Sequence, residues 1–439
     1  MYLYGGLPKP ASLGILILFS LYLGLYLALF AGLLGWLCKL TSTMVALCVA
    51  PFLWVAVELA RGRITGVPWD LLGYTQVDSS WLTKLAPWTG VMGISLLIAA
   101  ANCLWFTMTA KRTSMRFAGP VIAIVLTGCS MVSVEQVPIL KDAGSAVLLQ
   151  ENLGVGREGL ASRESKAQMI AAFSALSLQP TQGMAEHPQL IVWPEAPTPF
   201  VDSDPELRNS ISVLAGQTHA LIIVNDVSFA SRNSSGRYDL YNSASFFSSD
   251  GSYAGRYDKI HLVPFGEYTP YKPLFFFVGH LLDDLPFIPG TQRNVLQADG
   301  MHFGVFICYE SIFGDEIRQF ALNGAQVLVN ISDDGWYGDT SAPWEHLDMA
   351  RMRAIENHRW LLRSTNTGVT AAINPKGKVT QQLPRHIRGS LAATFAYEND
   401  LTFYTRYGDW LAWLCALLSV AALGWGPVRA RFTKPVQVH

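Results

Sequence analysis

The chain is poor in charge. Only 15% of its 439 residues are Asp, Glu, Lys or Arg, half are apolar, and the mean hydropathy is positive, where a soluble protein would carry about 25% charged residues. Lys/Arg and Asp/Glu nearly cancel, for a formal net charge of −1, and no basic block occurs. That balance argues against nucleic acid as a partner. Also missing are a His/Cys cluster at metal-ligand spacing, a Gly-rich phosphate loop, internal repeats and low-complexity tracts. The six cysteines are too scattered for a disulfide framework. Five of them (Cys38, Cys48, Cys103, Cys129, Cys415) fall in or beside apolar runs, leaving Cys308 alone in the polar part of the chain. A solitary thiol of that kind is a candidate reactive residue.

The shortage of charge is local. No charged residue lies between Lys9 and Lys39, Lys39 and Glu58, Lys84 and Lys111, Arg116 and Glu135, or Asp409 and Arg429. A membrane span needs roughly 20 mostly apolar residues, so these five segments read as spans. The first is too long, and too poor in basic residues before it, for a cleavable signal peptide. The run Leu126-Thr127-Gly128-Cys129 has the look of a lipidation box, but lies far from the N-terminus and reads as packing. Four spans place the large polar domain on the side of the N-terminus. The loop with Lys111, Arg112 and Arg116 and the tail with Arg429, Arg431 and Lys434 are the more basic side, and hence the cytoplasmic one. The polar domain is thus expected outside the cytoplasm. A chain whose N-terminus also starts outside, without a signal peptide, points to an odd number of further spans upstream.

Three regions follow: residues 1–140 as a helical membrane region, 141–400 as a catalytic domain, and 401–439 as a final span and cytoplasmic tail. Within the middle region, apolar runs at Ala146–Gln150, Leu190–Trp193, Ala220–Asn225, Ser243–Phe247, His302–Cys308 and Gln326–Ile331 read as strands. Ser162–Leu176, Pro205–Gln217 and Trp344–Asn357 read as helices. Continuous Val/Ile/Leu strands alternating with helices predict buried strands in a layered α/β fold, whose functional residues gather at strand ends.

Three motifs sit at such ends. Ile191-Val192-Trp193-Pro194-Glu195 is a strand that Pro194 stops, leaving Glu195 just beyond it; a lone Glu there is usually solvated. Lys259 and Glu267 lie in the apolar, aromatic stretch Tyr257–Tyr268, where a surface ion pair is as good a reading as a buried one. Phe303–Ile307 leads into Cys308-Tyr309-Glu310, and a free Cys is most often a small core hydrophobe. Together they say more. A nucleophilic thiol needs a base for its proton and a cation or N–H groups for the developing oxyanion. Glu195 suits the base, and later the acid. Lys259 suits the oxyanion and a depressed thiol pKa, with the N–H after Cys308 as a second donor.

This Glu, Lys, Cys order resembles the nitrilase, or carbon–nitrogen hydrolase, superfamily. The surroundings are most like its membrane branch, the apolipoprotein N-acyltransferase family: WPEA at 193–196, DKIHLVPFGEYTP at 258–270, FICYE at 306–310, NISDDGWYG at 330–338 and MARMRAIENHRWLLRSTNTGVTAAI at 349–373. Arg61-Gly62 with Thr65-Gly66-Val67-Pro68-Trp69 also fits. The resemblance implies a nitrilase-like αββα sandwich joined to a transmembrane helical bundle. It implies a catalytic set of Glu195, Lys259 and Cys308, supported by Glu267, Tyr309 and Glu310. The implied reaction takes an acyl chain from a phospholipid onto Cys308 as a thioester. It then passes the chain to the α-amine of the diacylglyceryl-cysteine of a lipoprotein, with no cofactor. The implied location is a bacterial inner membrane, crossed several times, with the catalytic domain on the periplasmic side. Leu274–Val278 is read as either a membrane-dipping arm or a core helix.

The sequence departs from the family pattern at three points. Fewer spans precede the domain. No Trp occurs between Gln150-Glu151-Asn152 and Trp193, and the family associates a Trp there with acyl-substrate handling. Asp333 stands where the family often has Asn. A membrane-tethered amidase and a non-catalytic membrane homologue are the competing readings. The spans and the apolar arm count against the first, and the retained Glu195, Lys259 and Cys308 against the second.

Overall fold

The computed structural model describes residues 8–110, 143–156, 164–179, 187–232, 238–268 and 287–432. They divide into two compact units, one between Pro138 and Leu401, the other from Pro8 to Val137 together with Thr402 onward. Residues 116–135, expected as a fourth span, lie outside the described residues. So do the Leu126–Cys129 run and the Leu274–Val278 segment.

The unit with the apolar segments is helical: α1 (Lys9–Leu40), α2 (Thr43–Ile64), α3 (Val91–Ala110) and, near the C-terminus, a further helix, Trp410–Phe432. Three of these are long and apolar enough to cross a membrane, and Trp410–Gly424 is a shorter apolar stretch. At 1.5 Å per residue, α1 would run about 48 Å, against a hydrocarbon core of roughly 30 Å. Its leucines, Leu16, Leu18, Leu21 and Leu25 among them, face outward, as lipid-facing side chains do. α2 starts where the Ser42 hydroxyl accepts the Val45 N–H at 3.3 Å. It runs past Glu58, where the apolar segment was expected to stop. There the Glu58 carboxylate is buried, and one of its oxygens accepts the Leu72 N–H at 2.8 Å inside the unit. Arg61 donates to the Trp69 carbonyl at 2.8 Å, closing the 61–69 loop, and Arg63 pairs with Asp409 at 2.8 Å.

The other unit holds two six-stranded sheets. The first is built from β1 (Ala143–Gln150), β2 (Leu190–Val192), β3 (Leu221–Arg232), β4 (Tyr238–Phe247), β5 (Tyr253–Asp258) and β12 (Gly389–Ala396), in the order β12-β1-β2-β3-β4-β5. The second comprises β6 (Val295–Ala298), β7 (Met301–Ile307), β8 (Val327–Ser332), β9 (Trp360–Thr365), β10 (Thr370–Ile373) and β11 (Val379–Leu383), in the order β11-β10-β9-β8-β7-β6. Each sheet is parallel at its centre (β1-β2-β3 and β7-β8-β9) and antiparallel toward its edges.

Side-chain alternation shows the layering. Ala146 and Leu148 of β1, with Leu190 and Val192 of β2, join one core that contains Phe303, Val305 and Leu328 of the other sheet. Their neighbours Val147, Leu149 and Ile191 join a second core. Opposite faces of one sheet therefore pack against different layers, as a period of two dictates. The outer face of the first sheet is covered by α4 (Lys166–Leu178) and α5 (Pro205–Thr218), through Met169, Phe173, Leu207 and Ile211. The second is covered by α6 (Gly314–Leu322) and α7 (Ala342–Asn357), through Ile317, Phe320, Leu347 and Ala350. The result is an α–β–β–α sandwich. Ser165 and Gln168 form a reciprocal cap on α4, and Asp204 with Pro205 starts α5.

At one end the sheets are tied together. The Ser364 hydroxyl donates to the Leu149 carbonyl at 2.7 Å and the Val192 carbonyl at 3.1 Å, and Glu195 bridges to Thr365. This is the end at which β2, β7, β8 and β9 finish, and their C-terminal loops carry the polar residues described next.

Candidate active site

Glu195 follows β2, Lys259 follows β5 and Cys308 follows β7 directly, as strand ends require. The structure brings Glu195 and Lys259 together and adds Glu267: the Lys259 ammonium lies 3.3 Å from Glu195 Oε1 and 3.0 Å from Glu267 Oε1. Lys259 is 1% exposed, its partners 13% and 12%. The surface ion pair that the sequence left open is therefore a buried one. Burial alone would pull the Lys259 pKa down, but the two carboxylates outweigh it and hold the ammonium charged.

Asn242, on β4, was not singled out from the sequence. Its amide donates to Glu195 Oε1 at 2.9 Å and Glu267 Oε1 at 2.8 Å, joining the two carboxylates. Its own oxygen accepts from Asn225 at 2.8 Å. The remaining oxygens are met by backbone: Glu195 Oε2 accepts the Asp333 N–H at 3.0 Å, and Glu267 Oε2 the Val263 N–H at 2.8 Å. No local signal marked it, because β4 also carries Asp239, Ser243 and Ser245. The chain can pass over Lys259 because residue 290 is glycine. A Cβ there would meet the Asp258 carbonyl oxygen at 2.2 Å, while the Gly290 N–H donates to the Lys259 carbonyl at 2.8 Å.

Cys308 begins a 3₁₀ turn, Cys308–Ile312, straight off β7. Its φ is +50°, a left-handed conformation that costs a non-glycine residue of order 1–3 kcal/mol and persists where surroundings over-determine it. The thiol is 6% exposed. Burial raises its pKa well above the ordinary thiol value and Glu195 adds to the rise, while Lys259 pulls the other way. The depressed thiol pKa expected from Lys259 is thus not what results, because burial outweighs the neighbouring cation. The resting group is a thiol, and a base must take its proton as it reacts.

Glu310 staples the thiol turn to the lysine loop. Its Oε1 accepts from the Tyr257 hydroxyl at 2.7 Å, the Ile260 N–H at 2.7 Å and the His261 N–H at 3.1 Å. Its Oε2 accepts from the Ile307 N–H at 2.7 Å. Burial pushes its pKa above the usual carboxylate range against the pull of these donors. Tyr309 is buried beside the thiol, its ring edge-on to Phe313 at 5.3 Å.

Beyond β8, Asp333 Oδ1 accepts the Gly335 N–H at 3.0 Å and the Asn366 amide at 3.2 Å. Burial, with Glu195 close by, pushes its pKa well up, which favours a neutral acid where the family often has the neutral amide of Asn. Next to it is a second buried cluster that sequence reasoning did not assign: Asp334, His346 and Arg363. Asp334 sits 2.8 Å from His346 Nδ1 and 2.7 Å from Arg363 Nη2. Burial opposes its charge, but Arg363 and His346 hold its carboxyl well below the usual range. The glycine at 368 makes room, since a Cβ there would meet Asp334 Oδ2 at 2.1 Å. Asp334 and Arg363 fall inside the family motifs and His346 just before the last of them, but nothing in their spacing showed that they converge. Among the described residues, one group of metal-ligand type comes together, His358, Glu398 and Asp400 at the surface, away from this chemistry.

A two-sheet α/β sandwich with Glu, Lys and Cys at its strand ends defines a nitrilase-type, or carbon–nitrogen hydrolase, domain, and residues 160–398 match the carbon–nitrogen hydrolase family. Residues 1–104 match the apolipoprotein N-acyltransferase N-terminal domain. The chain is 34% identical to the apolipoprotein N-acyltransferase of Geobacter metallireducens over 94% of its own length and 80% of the relative's. It is 31% identical to that of Vibrio cholerae, over 98% and 84%. Among solved structures, Saccharomyces cerevisiae Nit3 of the nitrilase superfamily is similar at a TM-score of 0.46 and 16% identity, over 60% of this chain and 93% of that one. The chain belongs to the apolipoprotein N-acyltransferase family.

Proposed function

We propose that this chain is a membrane-embedded N-acyltransferase that moves a fatty acyl chain from a phospholipid, through a thioester on Cys308, to the N-terminal diacylglyceryl-cysteine of a lipoprotein. The observation that carries the proposal is the buried Glu195–Lys259–Glu267 cluster beside a thiol in a left-handed turn. Glu195 takes the thiol proton as the sulfur attacks the ester carbonyl of the phospholipid. Lys259 and the backbone N–H of Tyr309 carry the tetrahedral oxyanion. The carbon–oxygen bond breaks, Glu195 returns the proton to the leaving alkoxide, and a lysophospholipid departs. In the second half, the acceptor amine attacks the thioester and gives its proton to Glu195. The sulfur then leaves and is reprotonated, and an amide remains. The reaction as written uses no cofactor.

Glu267 and Glu310 would hold Lys259 and the thiol turn in register, and Tyr309 would line the thiol. The three candidate spans support a location in a bacterial inner membrane. In this reading residues 1–140 and 401–439 form the membrane region, and 141–400 form a catalytic domain on the periplasmic face. Both substrates are lipids, so the thiol belongs near that face of the bilayer.

The test is mass spectrometry of the purified protein after incubation with phospholipid micelles. An acyl mass on Cys308 that hydroxylamine removes and Cys308→Ala abolishes is the expected result. A folded protein that takes no acyl mass yet hydrolyses a small amide would replace the proposal with a membrane-tethered amidase.

A further inference from the structure

Cys308 holds a conformation that its own backbone disfavours, so something must fix it. The turn's carbonyl shows what does. The Cys308 carbonyl oxygen lies 3.0 Å from the Ser311 hydroxyl, which donates to it, and 3.0 Å from His346 Nε2. Ser311 Oγ and His346 Nε2 are themselves 2.6 Å apart. A carbonyl can only accept, so this contact is a hydrogen bond when His346 carries a proton on Nε2. The other ring nitrogen, Nδ1, faces Asp334 Oδ1 at 2.8 Å and Arg363 Nη2 at 3.1 Å. Asp334 is held in turn by Ser332 at 2.9 Å and by Arg363 at 2.7 Å, and Arg363 also reaches Asn330. Ser311, Asp334, His346 and Arg363 are all fully buried.

Two buried side chains, Ser311 and His346, thus meet on one backbone oxygen, that of the nucleophile, and two more, Asp334 and Arg363, hold the histidine from its other side. They come from the thiol turn itself, from the loop after β8, from β9 and from α7. A cluster needed only to join layers has no reason to end on that atom.

We propose that His346, with Ser311 and anchored by Asp334 and Arg363, is a positioning residue for acylation. It clamps the Cys308 carbonyl so that the left-handed turn presents the thiol to Glu195 and Lys259, and the following N–H to the oxyanion. The inference rests on the acyl-transfer reading above. His346 donates no proton to substrate and forms no bond with it. It acts through the backbone of Cys308.

Two substitutions in the full chain, in detergent micelles, separate positioning from packing. His346→Gln keeps an N–H donor near the place of Nε2. His346→Asn is shorter, keeping its amide near the place of Nδ1, opposite Asp334, and falling short of the Cys308 carbonyl. With a dioleoyl phospholipid as donor, acyl-thioester formation in the Asn variant is expected to slow by about 10²-fold, the scale of an ångström-sized misplacement at the reacting atom. Its KM for the phospholipid should be little changed. The Gln variant should stay within about tenfold of wild type on the same scale. Alkylation of Cys308 by iodoacetamide, followed from about pH 8 to 11 because its pKa lies above the ordinary thiol value, reads thiol placement without any lipid. The Asn variant should titrate differently from wild type, and the Gln variant alike.

A folded Asn variant that acylates at the wild-type rate overturns the proposal. So do two folded variants slowed equally. If neither variant folds, Ser311→Ala removes the second donor to the same carbonyl, and an unchanged acylation rate in it overturns the proposal. A wild-type protein that takes no acyl chain refutes the acyl-transfer reading instead, and the alkylation series then decides the positioning on its own.

Discussion

Glu310→Gln changes one oxygen to nitrogen at a position where the carboxylate accepts four hydrogen bonds and donates none. With its oxygen placed toward Tyr257, Ile260 and His261, the amide nitrogen faces the Ile307 N–H, donor against donor. Three bonds then lose their charge assistance, about 1 kcal/mol each, and a buried N–H goes unpaired at about 1–3 kcal/mol. The gross loss is roughly 4–6 kcal/mol. Against this, burial already disfavours the charged form, as the raised pKa of Glu310 shows, and Gln carries no such penalty. A net loss of about 2–4 kcal/mol is expected. For a unit of this size that is a fall of roughly 5–15 °C in the unfolding midpoint. Thermal unfolding in detergent at one fixed scan rate measures it, since such proteins unfold irreversibly. Acyl-thioester formation should fall as well, because Glu310 joins the strand before Cys308 to the loop after Lys259. A Gln variant with the wild-type midpoint and the wild-type acylation rate would refute the assignment of Glu310 as the tie between the two.

Asn242→Ala removes the amide shared by Glu195 and Glu267. Turnover should drop about 10²-fold, the lower range for disturbed general acid–base catalysis, and steady-state assays with phospholipid and acceptor check it. Asp226 on β3 is buried and its pKa is pushed up, mainly by burial, from 3.8 to about 8. The fold therefore binds a proton there that the unfolded chain has lost. Its stability is full below the unfolded value and falls as pH rises toward about 8. Asp226→Asn should flatten that fall, seen by comparing unfolding midpoints at about pH 5 and about pH 9; an unchanged slope counts against the assignment. Gly304→Ala would set a Cβ 2.6 Å from that of Phe320 and 3.0 Å from that of Ala325. The strand that delivers Cys308 should lose about 1–3 kcal/mol of stability by overpacking, read from the same melts.

Much of the candidate site, as a set of residues that the fold brings to strand ends, was legible because residues at strand ends leave a local mark. An apolar run that stops at Pro194-Glu195, and another that stops at Cys308, place their residues without knowledge of the partner strands. Helices were legible too: α5 (Pro205–Thr218) and α7 (Ala342–Asn357) lie within two residues of the expected bounds, since caps and period are local. The non-local parts were not. β12 pairs with β1, from opposite ends of the domain, and β9 and β10 carry buried Arg363, Ser364 and Thr370, which blur an apolar pattern. Asn242, Asp334, His346 and Arg363 carry polar side chains on or next to well-ordered elements, and only the folded geometry shows which of them meet. The thiol's pKa was misjudged for a related reason. A neighbouring lysine is visible in a motif, whereas the depth of burial belongs to the packing.

The protonated thiol has a consequence for durability. Peroxide and disulfides react with thiolates that they can reach, and Cys308 at rest is neither ionised nor open: burial raises its pKa and leaves 6% of it exposed. The features that delay its deprotonation also shield it between turnovers. A sulfur that ionises only when its substrate arrives has little chance to be spent on anything else.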